Sequence, residues 1–340
     1  MSRAKLFDHP ARFQKMGLDL VRAGQADQAL ALAREAVEAR PGDRLIAALA
    51  RRICYYRLPS YHHAMLRDGP RNAAYRKAIE ALAPDRTVLD IGTGSGLLAM
   101  LAARAGAAHV YACEAEPLLA ATAREIVAAN GLADRITVFS RHSGKLDRQR
   151  DLGGGVDLVV SEILSHEVLG EHVLTSLAHA RAELAAPGAL FLPERATVRV
   201  ALADDPASHE PLGMVEGFDL SLFNRHTKKD VLSRDHVPAF TLRSEPADLL
   251  TFDFAGGAKL EGRGSRTLVS RGGRVNGAAQ WMHLDLGGGA IYENPPGANP
   301  EGHWRAGFYP FGFERETRAG EEIAVEGWHD FESIVIWHGD

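Results

Sequence analysis

Residues 87–100 read TVLDIGTGSGLLAM, and no other stretch restricts the fold as strongly. A short β-branched run enters a turn, and LLAMLAARAGA then carries a helical pattern. Gly92, Gly94 and Gly96 suit a backbone that turns sharply and approaches a ligand with no Cβ in between. Asp90 stands just before the turn, and Glu114 ends a second strand-like run, HVYACE. A carboxylate at the tip of a second strand can accept both hydroxyls of a ribose. The pattern predicts βαβ units with a ligand bound outside the carboxyl ends of parallel strands. RITVFS and VDLVVSE are the third and fourth strands expected of the same sheet.

Three regions differ in texture along the 340 residues. Residues 1–58 are rich in Ala, Arg and Leu and read as a helical N-terminal extension. Residues 59–192 hold a covering helix and the βαβ units. Residues 193–340 alternate as in ATVRVALA and EIAVEGW and read as an antiparallel β domain. Within the extension, Gly17, Leu20, Ala29, Ala36 and Pro41 fall at the small and turn positions of one tetratricopeptide-like repeat over residues 10–43. The same residues suit an alanine-rich helical hairpin packed on the main domain. The net charge of -5 is not a nucleic-acid binder's balance, and the two cysteines form neither a disulfide framework nor a zinc motif. No apolar leader or membrane-length run is present, so a cytoplasmic chain is expected. No metal is expected, since H-E-x-x-H and G-x-S-x-G are both absent from the sequence.

The D-x-G-x-G-x-G form, followed by Glu114, resembles motif I and the acidic motif of class I methyltransferases. The resemblance implies S-adenosylmethionine as cofactor and S-adenosylhomocysteine as product, with Asp90, Gly92, Gly94, Gly96 and Glu114 at the binding site. It further implies that His142 and Ser143, in SRHSGKL after the third strand, line the adenine pocket. A nicotinamide dinucleotide is the rival ligand, and it needs a pyrophosphate cradle that this spacing does not suit.

After the fourth strand the chain reads SEILSHEVLGE, with Glu162 and Glu171 nine residues apart. Paired carboxylates can clamp the planar donors of a guanidinium bidentately. Arginine is cationic, with a pKa of about 12.5 or more, and a delocalised cation is a poor nucleophile. A clamp that aims one nitrogen at an activated methyl group answers both needs. Glu167, between the two, reads as a solvated surface carboxylate. The segment resembles the double-glutamate loop of protein arginine methyltransferases.

Two other segments resemble the same family. In SYHHAMLRDGPRNAAYR, residues 60–76, the resemblance implies that Arg71 pairs with the cofactor carboxylate and that Met65 borders the methyl-transfer site. In ENPPGANPEGHWRAGFY, residues 293–309, it implies that His303 pairs with Asp68, as a proton relay or as an architectural link. Trp304 is then a wall of the arginine pocket or a core residue of the β domain. Gly302 departs from the family's threonine.

The fold implied is a Rossmann-like class I domain followed by an antiparallel β-barrel, with the substrate arginine of a protein or peptide entering between them. The RNxxY and SRHS patterns lie nearest the monomethylating and tetratricopeptide-containing branches. Gly144 replaces the adenine-pocket glutamate of asymmetric dimethylating members. The family also implies a head-to-tail homodimer formed through an arm near residues 211–236, containing Gly217, Phe218 and Asp219. Two rivals remain: a methyltransferase for lysine, a ribosomal protein or a small amine, and a non-catalytic scaffold with the same fold. Neither needs paired glutamates beside a His-Trp loop.

Overall fold

The computed structural model describes residues 3–56, 58–59, 61–206, 212–226, 230–231, 240–299 and 302–339. The chain groups into two compact units, each discontinuous in sequence. The first comprises Met1–His63, Leu82–Glu162 and Leu184–Pro187. The second comprises Ala64–Ala81, Ile163–Glu183 and Gly188–Asp340.

The first unit opens with helices α1 (Arg3–Leu6), α2 (Pro10–Arg22), α3 (Ala26–Ala39) and α4 (Arg44–Cys54). Asp43 caps α4 by accepting the N–H groups of Leu45 and Ile46 at 3.0 and 3.1 Å. Phe13, Leu32, Ile46 and Ile53 fill the space between these helices. Gly17 is what lets α2 and α4 approach: a Cβ there would lie 2.2 Å from Ile53 Cδ1.

Helix α5 (His62–Arg67) leads to α6 (Gly69–Leu82), which belongs almost wholly to the second unit. The sheet of the first unit is built from β1 (Thr87–Ile91), α7 (Leu97–Arg104), β2 (His109–Glu114), α8 (Pro117–Ala129), β3 (Ile136–Ser140) and β4 (Val156–Ser161). β3, β2, β1 and β4 are neighbours in that order and parallel throughout. The order reverses after β1, which opens the switch-point crevice where such sheets bind ligands. Helix α3 packs on this body through α8. Leu118 and Ala121 of α8 meet Ala26, and Asp27 takes the Arg124 guanidinium at 2.7 and 2.9 Å.

Helix α9 (Val173–His179) precedes β5 (Ala185–Leu192), the outer neighbour of β4. The antiparallel expectation for the C-terminal part holds. β6 (Arg195–Asp204) pairs with β12 (Gly262–Asp285), which pairs with β14 (Gly307–His329), and β15 (Ile334–His338) follows. A small hairpin of β7 (Met214–Val215) and β8 (Phe218–Asp219) stands apart. Glu216 and Gly217 at its tip both have positive φ, as a tight primed turn requires. β9 (Asp230–Val231), β10 (Thr241–Leu242), β11 (Ala247–Asp253) and β13 (Ile291–Glu293) complete the eight-stranded antiparallel sheet. Register shifts near Arg271 and Gly277 bend the long β12–β14 ribbon. Lys228 and Lys229 lie outside the described residues, as do parts of the expected arm. No helix among the described residues is long and apolar enough to cross a membrane.

Gly17→Val should cost about 1–3 kcal/mol by overpacking against Ile53. Urea unfolding of the full chain measures it, and stability equal to wild type would refute that close approach.

Candidate active site

In the first unit the glycine turn is held by two carboxylates. Asp90 is buried, and its Oδ2 accepts the Thr93 hydroxyl at 2.6 Å and the Ala99 N–H at 3.1 Å. The second bond reaches the first turn of α7, so one carboxylate joins strand, turn and helix. Gly92, Gly94 and Gly96 have φ of +74°, +55° and +83°, the left-handed region that a side chain would strain. Gly96 also passes Val127 of α8, which a Cβ would approach to 3.3 Å.

Glu114 ends β2, and its two oxygens accept the N–H groups of Gly94 and Glu116 at 3.0 and 2.9 Å. Burial raises its pKa, while those backbone donors pull the other way. The structure thus brings Asp90, the three glycines and Glu114 together at the ends of β1 and β2. His142 and Ser143 follow β3. His142 Nδ1 accepts the Gly144 N–H at 3.0 Å, which leaves the proton of a neutral ring on Nε2. A Cβ at Gly144 would come 3.2 Å from that nitrogen.

These residues fit a nucleoside cofactor on two observations. The Ser143 hydroxyl is buried without a hydrogen-bond partner among the described residues, and buried hydroxyls are seldom left so. The space beyond Gly94 is open, where a Cβ would meet nothing within 4 Å. Glu162, half-buried at the end of β4, is the last residue of this unit before the chain passes to the other.

In the second unit Asp68 is the central group. It is buried and caps α6: Oδ1 accepts the Arg71 N–H at 3.2 Å and the Asn299 amide at 3.1 Å. Its Oδ2 accepts the main-chain N–H of His303 at 2.9 Å. Asp68 and His303 do meet, and the bond shown runs through the backbone. Arg71 is buried between aromatic rings, its guanidinium carbon 5.4 Å from the Tyr75 centroid and 5.5 Å from that of Trp304. Met65 is half-buried one turn before Asp68. Trp304 is 1% exposed, packs edge-on to Tyr292, and donates Nε1 to the Leu164 carbonyl at 3.0 Å.

The excursion from Ile163 to His172 is a tight local structure. Ser165 bridges to Val168, and the Ser165 hydroxyl donates to the Leu169 carbonyl. Val168, Glu171 and His172 have φ of +75°, +47° and +58°, a rare run for non-glycine residues. Glu171 is exposed at the end of it, and His172 Nδ1 lies 2.8 Å from the Glu332 carboxylate. Glu167 differs from its sequence expectation. It is buried, takes the Tyr309 hydroxyl, and its carboxyl is pushed by burial up to about 7. Its partner is 142 residues away, so no local pattern in SEILSHEVLGE signals the burial.

Sequence reasoning missed Tyr309 and Asn299 as well. The departure at Gly302 has a physical reason. A Cβ there would lie 2.6 Å from the Asn299 amide nitrogen that donates to Asp68. Gly302→Thr should therefore push Asn299 off Asp68 and cost about 1–3 kcal/mol. Thermal unfolding reads this, and Asn299→Ala in the same chain should relieve the collision. A single Gly302→Thr variant as stable as wild type would refute it.

The family described as ribosomal protein L11 methyltransferase (PrmA) matches residues 76–192, the part that carries the parallel sheet. An arginine N(omega)-methyltransferase of Streptomyces achromogenes subsp. streptozoticus is 42% identical over 296 residues, covering 84% of this chain and 79% of the relative. Protein arginine N-methyltransferase 7 of Oryza sativa subsp. japonica is 32% identical over 300 residues, covering 80% of this chain. The match spans only 40% of the length of that rice protein. The Trypanosoma brucei PRMT1 enzyme–prozyme heterotetrameric complex with AdoHcy shares the fold, with a TM-score of 0.72 and 24% identity over 83% of this chain and 98% of that one. The similarity to the Streptomyces protein runs well past the cofactor region that the L11 family matches, so the general methyltransferase alternative gives way to a narrower statement. The chain belongs to the arginine N-methyltransferase family, S-adenosylmethionine-dependent enzymes of the class I fold.

Proposed function

We propose that this enzyme methylates a terminal guanidinium nitrogen of arginine in a protein or peptide, with Glu162 and Glu171 as the guanidinium clamp. The observation that carries the clamp is Glu171 itself. A non-glycine residue is held at φ +47° in a loop fastened on both sides, and backbone of that kind persists where its surroundings over-determine it.

S-adenosylmethionine supplies an electrophilic methyl group on a sulfonium. The protein's part is to bind, orient and manage a proton. Glu114 accepts the ribose hydroxyls, and the Gly92–Gly96 turn, braced by Asp90, leaves room for the backbone to approach. His142 and Ser143 border the adenine, Met65 borders the transfer site, and Arg71 meets the cofactor's carboxylate. The aromatic faces of Tyr75 and Trp304 hold that guanidinium in place. Glu162 and Glu171 draw the substrate cation's charge toward the nitrogens they bond, which frees the remaining nitrogen for in-line attack. Methylation leaves the product cationic and releases one proton. For Asp68, hydrogen bonds to the main chain of His303, to Asn299 and to Arg71 support the architectural role.

The same reading assigns residues 1–58 as a tetratricopeptide-like extension, 59–192 as the cofactor domain and 193–340 as a barrel-type substrate domain, in a cytoplasmic enzyme. It also takes the arm near residues 211–236 as the contact of a head-to-tail homodimer. Support comes from Met214, Phe218, Leu222 and Phe223, which are 64–75% exposed, more apolar surface than a monomer needs there.

A second acceptor is favoured by one fact: the name of the Streptomyces relative specifies arginine without the word protein. Mass spectrometry of arginine-rich peptides and of free arginine, each incubated with enzyme and S-adenosylmethionine, separates the two. Methyl groups fragment-mapped to peptide arginine support the proposal, and methylation of free arginine alone overturns it. Glu171→Gln should bind the cofactor with unchanged Kd and lose about 100-fold or more in turnover. Normal turnover in that variant removes the clamp. Glu114→Ala should raise the cofactor Kd about tenfold by calorimetry, and an unaltered Kd takes it out of the ribose site.

A further inference from the structure

Glu167 is the residue the clamp mechanism leaves unused. A carboxyl that is 8% exposed is costly to keep unless it is hydrogen-bonded, and an apolar side chain would fill the same space more simply. Its oxygen Oε1 takes the Tyr309 hydroxyl, which also lies 3.5 Å from the Ile334 carbonyl. Tyr309 sits near the start of β14, five residues after Trp304, and Ile334 opens β15. The loop between Glu162 and Glu171 is therefore pinned at its centre to β14, through a tyrosine that also approaches β15.

Other fastenings surround this one. Leu164 is held by the Trp304 indole at 3.0 Å, and the His166 carbonyl accepts the Gln280 amide from β12 at 3.4 Å. The Glu167 N–H is held by the Ser165 hydroxyl at 3.1 Å. Beyond the loop, His172 meets Glu332 in the turn before β15. Between Glu167 and His172 the backbone takes three positive-φ non-glycine conformations and one at Gly170, where φ is +131°. Such a path relaxes unless both ends are fixed. Glu167 fixes the near end, and the His172–Glu332 contact fixes the far end. Glu171 lies on the stretch between them.

We propose that Glu167 and Tyr309 form a buried clasp that sets the loop backbone and thereby aims Glu171 at the substrate guanidinium. Glu167 is a positioning residue. It acts through Glu171, and the inference rests on the clamp reading of Glu171. Burial favours the neutral carboxyl, while a phenol donating to it favours the anion. Both forms present an oxygen that accepts the Tyr309 proton, so the clasp holds in either state.

The test uses the full-length enzyme, an arginine peptide, and five variants: Glu167→Ala, Glu167→Gln, Tyr309→Phe, Glu171→Asp and the Glu167→Ala/Glu171→Asp pair. Calorimetry gives the cofactor Kd, and steady-state assays give kcat and KM for the peptide. Glu167→Ala should lower peptide kcat/KM by about 10- to 100-fold with the cofactor Kd unchanged, the scale of a misplaced recognition group. Glu167→Gln keeps an acceptor for Tyr309 and should recover most of the loss, and Tyr309→Phe should resemble Glu167→Ala. In the Glu171→Asp background, where the clamp is already displaced, Glu167→Ala should cost less than about threefold, since residues acting on one group are non-additive. Tyr309→Phe, which removes one oxygen from a packed ring, carries the test if Glu167→Ala does not fold.

Wild-type kinetics in Glu167→Ala, or in Tyr309→Phe where that variant stands in, overturns the clasp. So does a loss of the same factor in both backgrounds, or a loss that comes with weakened cofactor binding. Full turnover by Glu171→Gln instead removes the clamp reading, and the clasp falls with it.

Discussion

One buried carboxylate, Asp68, holds helix α6 to the loop that precedes β14. Its two oxygens take three donors from two segments far apart in the chain: Arg71 on one side, and Asn299 and His303, 231 and 235 positions beyond Asp68, on the other. A buried carboxylate with fewer donors would be strongly unfavourable, so helix start and loop path specify each other. Arg71 and Trp304 are then brought face to face as a consequence. The loop in turn carries the Trp304 indole to Leu164, at the root of the segment ending in Glu171. Three pieces of the second unit, distant in sequence, share one chain of hydrogen bonds.

The first unit solves a similar problem with local means. Asp90 reaches Thr93 and Ala99, and Glu114 reaches Gly94 and Glu116. Glycines at 92, 94 and 96 accept a left-handed path that keeps side chains out of the turn. This architecture needs a strand, a tight turn and a helix start in immediate succession, which is why it is written in one continuous stretch. The N-terminal helices attach by a different principle. α3 buries small residues against α8 and adds the Arg124–Asp27 pair at the rim, where exposed ions contribute little beyond orientation.

The sequence identifies the residues that belong to patterns continuous along the chain. The four parallel strands, the glycine turn, Glu114, the Glu162–Glu171 spacing and the antiparallel texture after residue 193 were all visible as local patterns. A glutamate that follows a strand reads as a solvated surface group, and nothing near Glu167 in sequence points to Tyr309. Gly302 was a departure without a reason, because the reason is the side chain of Asn299 folding back across a turn. Gly17 showed as a small residue of a helix pair, whereas the side chain it makes room for is Ile53 on α4, a third helix.

The sequence by itself determined the class of chemistry. The motifs that carry the family resemblance are charged and glycine residues at short, fixed spacing along strand ends, and those spacings are covalent facts. Tertiary structure alone decided which carboxylates are buried, which backbone groups Asp68 satisfies, and how the loop bearing Glu171 is held in a conformation that its own residues disfavour. Those outcomes arise from desolvation and from hydrogen bonds between residues far apart in the chain. Neither leaves a trace in the local sequence, since the free energy of burying a carboxyl depends on what surrounds it in space.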